Sequence, residues 1–222
     1  MSARKSIAIL VGLVLVSVVG IARFAQGTGE KKTFRVVYNV ILKTSDGEFH
    51  FKGQKVRYVN VDGRMKEVAI TPEGKEAWFS LNSYEGSFLG IPEKQIISPK
   101  GPFERPLATS DEILSKVAVG TDVILGYKVY VRKTKDGLNE VWSTPEVPYT
   151  PLKTIIRSKD VPSYTMQEAV AIYWEPVPEE VFTKPNWPIN TFYLEDQIKI
   201  YEYNKVDPSA AKKELDKWKG RQ

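Results

Sequence analysis

From Thr33 to Lys43 apolar residues recur at every second position, with Phe34, Val36, Tyr38, Val40 and Leu42 set between Thr33, Arg35, Asn39 and Lys43 among others. A period of two puts one set of side chains on one face of an extended chain, so the spacing predicts a strand half buried against a core. Asp46-Gly47 follows, a pair suited to the positive φ of a tight hairpin, and Glu48-Phe49-His50-Phe51 reads as the returning strand. The theme repeats: Lys55 to Val61 alternates, Asp62-Gly63 turns, Val68-Ala69-Ile70 leads to Pro72-Glu73-Gly74, and Glu76 to Leu81 is a further strand. Short strands following one another imply an antiparallel meander.

Residues Phe88 to Pro106 carry Pro92, Pro99, Pro102 and Pro106. Proline lacks an N–H and resists helix and central strand, so this stretch is expected to wrap the surface or reach toward a partner. Ser110-Asp111-Glu112 resembles a helix start, with Ile113, Leu114 and Val117 as its apolar stripe. Strands are expected again at Val123–Lys133, Leu138–Trp142 after the Asp136-Gly137 turn, Thr154–Arg157, Glu168–Trp174 and Phe192–Tyr203. Asp207 and Pro208 then open a basic amphipathic helix through Lys219, with Ala211, Leu215 and Trp218 on one face.

Residues Ser6 to Ala22 are uncharged and bounded by Lys5 and Arg23. As a helix they extend ~25 Å, enough for a short membrane span, with Ile7, Leu10, Leu13, Val14, Val18 and Ile21 as anchor residues facing the bilayer. A cleaved signal peptide shares the basic start and apolar run but needs small residues before its cut; cleavage after Ala22 would use Gly20 and Ala22, directly before a charge. The expectation is therefore a single-pass anchor with the globular part on the exported, periplasmic or extracellular side.

The fold class expected is mainly β, an antiparallel meander arranged as a sheet, sandwich or half-barrel, with one N-terminal transmembrane helix and a short C-terminal helix. The chain divides into 1–27 as anchor or signal peptide, 28–206 as a β-rich body with proline-rich arms, and 207–222 as the C-terminal helix.

Several classes of chemistry lose their usual marks. There is no cysteine among the 222 residues, which removes disulfides, thiolate nucleophiles and thiolate zinc sites. The single histidine, His50, cannot build a His-rich metal site, and no nucleophile elbow accompanies it. The acidic pairs Asp111/Glu112, Glu179/Glu180 and Glu195/Asp196 are neighbours in sequence, which point apart on a strand. No phosphate-binding loop, dinucleotide fingerprint or calcium loop occurs. A net charge of +5 is mild and interspersed with acids. Lys55-Arg57-Tyr58 and Tyr127-Lys128-Tyr130-Arg132 read as strands with inward aromatics and outward charge more readily than as a nucleic-acid face. No catalytic residue, cofactor, metal or nucleic-acid partner is expected.

Gly126-Tyr127-Lys128-Val129-Tyr130-Val131, then Glu140-Val141-Trp142 and Pro151-Leu152-Lys153, resembles the late strands of exported lipoprotein-carrier-like half-barrels. Two functions follow from these readings. The first is a non-catalytic accessory subunit of a larger membrane complex, touching other integral membrane proteins and the lipid bilayer, with Pro99, Phe103, Trp142, Trp187, Leu215 and Trp218 as candidate contacts. The alternative is an exported carrier or binding protein whose curved sheet holds an apolar ligand.

Overall fold

The structure, a computed structural model, describes residues 33–44, 49–106, 110–157, 159 and 163–220, with the side chains of 43, 44 and 49–52 outside that description. The expected anchor residues Ile7, Leu10, Leu13, Val14, Val18 and Ile21 and the Asp46-Gly47 turn lie outside the described residues. Among the described residues no helix is long and apolar enough to cross a membrane.

Among the described residues eleven strands make one antiparallel sheet: β1 (Thr33–Thr44), β2 (Phe49–Asn60), β3 (Met65–Ile70), β4 (Glu76–Ser83), β5 (Gly86–Ile91), β6 (Ile96–Gly101), β7 (Gly120–Ile124), β8 (Tyr127–Lys133), β9 (Asn139–Ser143), β10 (Lys153–Arg157) and β11 (Ser163–Tyr173). Their order is β6-β5-β4-β3-β2-β1-β11-β10-β9-β8-β7. Two meanders are thus joined in the middle where β1 pairs with β11. Among the described residues the expected meander forms as a single sheet, without the second sheet that a sandwich needs. Register shifts at Val37/Tyr38, Ala69/Ile70 and Ser87/Phe88 are sites of added local twist.

The alternation in β1 has the expected consequence. Phe34, Val36 and Tyr38 have no solvent exposure and Val40 is buried, each large apolar side chain contributing about 1.5–3 kcal/mol on burial. They form a core with Val59, Val129, Trp142, Val147, Leu152 and Ala169. The β9–β10 connection is drawn over this core by hydrogen bonds: Tyr38 donates to Pro151 O (2.9 Å) and lies 2.7 Å from Thr150 Oγ1. Because Tyr38 gives its one proton to Pro151, Thr150 is the donor in their contact, and Arg57 Nη1 donates to Thr150 in turn.

Helix α1 (Asp111–Val117) is capped by Ser110, whose Oγ accepts from Ile113 N. Its buried stripe is narrower than expected, since Leu114 is buried while Ile113 and Val117 are exposed.

Three sequence expectations are corrected. The single strand expected over Val123–Lys133 is a hairpin, in which β7 and β8 pair across a turn at Leu125-Gly126 where both residues have positive φ. Residues Phe88–Pro106 do not form a surface arm: most of β5 and all of β6 lie within them, joined by a 3-10 turn at Pro92–Lys94. Pro99 is tolerated because β6 is an outer strand, where a missing N–H breaks fewer ladder bonds. Phe192–Tyr203 is helix α2 rather than a strand. Its start is fixed by Asn190 Oδ1, which accepts from Phe192 N, and by the Thr191 hydroxyl donating to Glu195. A second C-terminal helix, α3 (Ser209–Lys219), follows where one was expected, with Asp207 accepting from Ser209 N.

Between β11 and α2 the chain crosses the sheet from its centre to its β6 edge. Thr33 Oγ1 donates to Glu175 O and accepts from Val177 N, Arg64 pairs with Glu179, and Phe182 is buried. Trp187 packs 5.7 Å from the Phe79 ring. Ile97 N then donates to Pro188 O, and Asn190 N donates to Ile97 O, so residues 188–190 cover the open edge of β6. A second core lies here, built from Val68, Phe79, Leu81, Phe88, Ile97, Leu194 and Trp218.

Candidate functional site

Register places Met65, Asn82, Ser87 and Gly101 directly opposite one another across β3 to β6, so the side chains of Met65, Asn82 and Ser87 share one face of the sheet. Arg57, Glu67 and Ser80 form the neighbouring row on that face. Residues of α2 and α3 line the same space as Met65, Asn82 and Ser87. Tyr193, Gln197 and Tyr201 recur every four residues along α2, and Ala210/Ala211, Glu214 and Lys217 follow helical spacing on α3, so one stripe of each helix faces the same space. Together with Lys100, Gly101, Pro102, Glu104, Arg105 and Pro106 they line a half-open pocket of about 870 Å³. The two adjacent alanines of α3 leave the room that larger side chains would fill.

The rim is positioned by backbone contacts. Asn82 Nδ2 donates to Glu104 O at 2.9 Å. Arg105 and Pro106 lie against Gly63, whose φ of +94° suits the turn after β2 and where a Cβ would stand 3.0 Å from both.

The sheet floor carries charge. Glu67 accepts from Lys55 Nζ and Arg57 Nε, each at 3.0 Å. Burial alone would raise the Glu67 carboxyl, but the cations Arg57 and Lys55 outweigh it and hold it below the ordinary range. Lys100, half-buried, donates to Ser80 Oγ at 3.1 Å and lies 5.6 Å from the centroid of the Tyr193 ring. Its pKa is lowered by desolvation, against the pull of Glu67.

The six contacts proposed from sequence fall elsewhere. Pro99 is buried in β6, Phe103 stands edge-on to Tyr84, and Trp142 belongs to the first core. Trp187, Leu215 and Trp218 come together in the second core, Trp218 edge-on to Phe88 with its Nε1 donating to Glu214. None of the six lines the pocket. Sequence reading missed Tyr193, Gln197 and Tyr201 because they were assigned to a strand; their spacing of four, read as a helix, would have put them on one face. Lys100 had no signal of its own.

The acidic pairs are separated by their partners. Asp111 accepts from Tyr130 Oη, Glu179 pairs with Arg64, and Glu195 with Lys219. His50 lies on β2, its side chain outside the described set. Among the described residues no group of three or more His, Asp or Glu side chains is gathered as for a metal ion.

No known family profile matches the chain, and no curated protein sequence does. Solved structures similar in backbone include an uncharacterized conserved protein from Thermus thermophilus (9% identity, 72% of this chain and 91% of that one, TM-score 0.47). A LolA superfamily protein from Nitrosomonas europaea is 9% identical, over 76% of this chain and 97% of that one, with a TM-score of 0.37. A putative outer membrane lipoprotein-sorting protein domain from Vibrio parahaemolyticus is 14% identical, over 74% and 94%, with a TM-score of 0.33.

Proposed function

We propose that this chain is an exported, non-catalytic carrier or binding protein that holds an apolar ligand between the face of β3–β6 and helices α2 and α3. The observation that carries this reading is the half-open pocket of about 870 Å³ in which Met65, Leu194, Ala210 and Ala211 and the rings of Tyr193 and Tyr201 supply an apolar wall beside a charged rim. That size and lining suit a small amphiphile or a lipid chain. The reading of an arm-bearing accessory subunit loses two supports: the proline-rich stretch is half taken up by β5 and β6, and of the tryptophans proposed as contacts Trp142 and Trp218 are buried in the two cores while Trp187 is partly buried against the second. Export follows from the apolar run Ser6–Ala22 with its basic start.

The experiment is purification of the full chain from its native envelope, followed by denaturing extraction and mass spectrometry of what it carried. An apolar molecule bound near one per chain, and absent from Ala210→Trp, supports the reading. Native protein free of any such molecule, and unable to take up a fluorescent fatty acid, sinks it.

One observation favours a second reading, membership of a larger membrane complex. The outer edge of β7 is open among the described residues, and Ile113, Val117, Val119, Val123 and Leu125 around it are exposed. Gentle detergent extraction and size fractionation test it: comigration with fixed integral proteins, lost in Val123→Asp, supports it, and a chain that runs alone counts against it.

A further inference from the structure

The carrier reading leaves the ligand's polar end open, and the charge around the pocket narrows it. Four basic side chains, Lys100, Arg105, Lys213 and Lys217, line the space against two acidic ones, Glu104 and Glu214. Glu214 is already engaged, accepting from Lys217 Nζ at 2.9 Å and Trp218 Nε1 at 2.7 Å. The charge of Glu67 behind the floor is taken up by Lys55 and Arg57.

Lys100 differs from the other three. It stands on the sheet floor, half-buried, and among the described residues no carboxylate makes an ion pair with it. An ammonium has three donors, of which Ser80 Oγ accepts one, and the Tyr193 ring covers one side. A cation withdrawn from water without a full set of partners is costly, and an anion arriving in the pocket relieves that cost. Met65, Leu194, Ala210 and Ala211 and the rings of Tyr193 and Tyr201 offer apolar contact in the same space.

We propose that the pocket binds an amphiphile with an apolar chain and an anionic head, carboxylate or phosphate. The head meets Lys100, and the chain lies along Met65, Tyr193, Tyr201 and Ala211. This rests on the carrier reading and specifies its ligand class.

The test uses the full chain and a fluorescent fatty acid, cis-parinarate, displaced by dodecanoate, dodecyl phosphate or dodecanol below their micelle thresholds. At least one of the two anions is expected to displace the probe at about tenfold lower concentration than dodecanol, the effect of one charge-assisted hydrogen bond. Lys100→Met is expected to erase that preference and leave dodecanol unchanged. Which anion is stronger separates a carboxylate source from a phosphate source. Equal competition by all three, unaltered by Lys100→Met, overturns the anionic head and leaves the carrier reading standing. If no probe binds, or if Ala210→Trp with unchanged circular dichroism leaves binding intact, both fall.

Discussion

The ring of Phe79 lies across Gly90 on the neighbouring strand, so closely that a Cβ at Gly90 would stand well inside van der Waals contact with three ring atoms. Phe79 is itself pinned by Trp187 and by Lys66 above its face, so the ring has little room to retreat. Gly90→Ala is therefore expected to destabilise the fold by about 1–3 kcal/mol through overpacking. A urea titration checks this, and a midpoint equal to that of the native chain would show that the ring moves freely.

Removing one oxygen breaks the tie between β1 and the β9–β10 connection. Tyr38→Phe loses both the bond to Pro151 O and the acceptor for Thr150. With Tyr38 fully buried, the expected loss is about 1–3 kcal/mol. Thermal unfolding measures it, and amide exchange should quicken first in residues 144–152.

The trio Lys55, Glu67 and Arg57 makes stability fall with acid. The folded Glu67 carboxyl is held below its ordinary value of 4.5. A depressed carboxyl contributes stability in full above the unfolded value and loses it as pH falls through the folded one. The melting temperature is thus expected to drop as pH is lowered below about 4.5, and Glu67→Gln to flatten part of that drop. Melting curves from pH 7 to pH 3 decide it; identical slopes for both chains would remove Glu67 from the account.

Trp218 joins α3 to the sheet by packing edge-on to Phe88. Trp218→Ala is expected to cost about 3–5 kcal/mol and to free the helix that forms one wall of the pocket. Limited proteolysis should then cut first near residues 204–208, the link between α2 and α3.

Much of the sheet was legible because its central strand has one buried face. Phe34, Val36, Tyr38 and Val40 alternate, and Asp62-Gly63 and Asp136-Gly137 turn where expected, both glycines with positive φ. The pocket was not legible. Its helix α2 holds Ile198, Ile200 and four aromatics, a composition that local propensity assigns to a strand. What decides the helix is tertiary, because Leu194 alone is buried and the chain has just been tied to β6 through Ile97. Pro99 misled in the same way, since only the sheet order reveals that its strand lies at an edge.

The most direct measurement is photocrosslinking of a diazirine-bearing fatty acid to the full chain, with the labelled peptides mapped by mass spectrometry. The account expects label on α2, on α3 and on the wall around Met65, Ser87 and Lys100, and its loss in Ala210→Trp. Label confined to the exposed apolar residues around β7, or spread evenly over the surface, would contradict it.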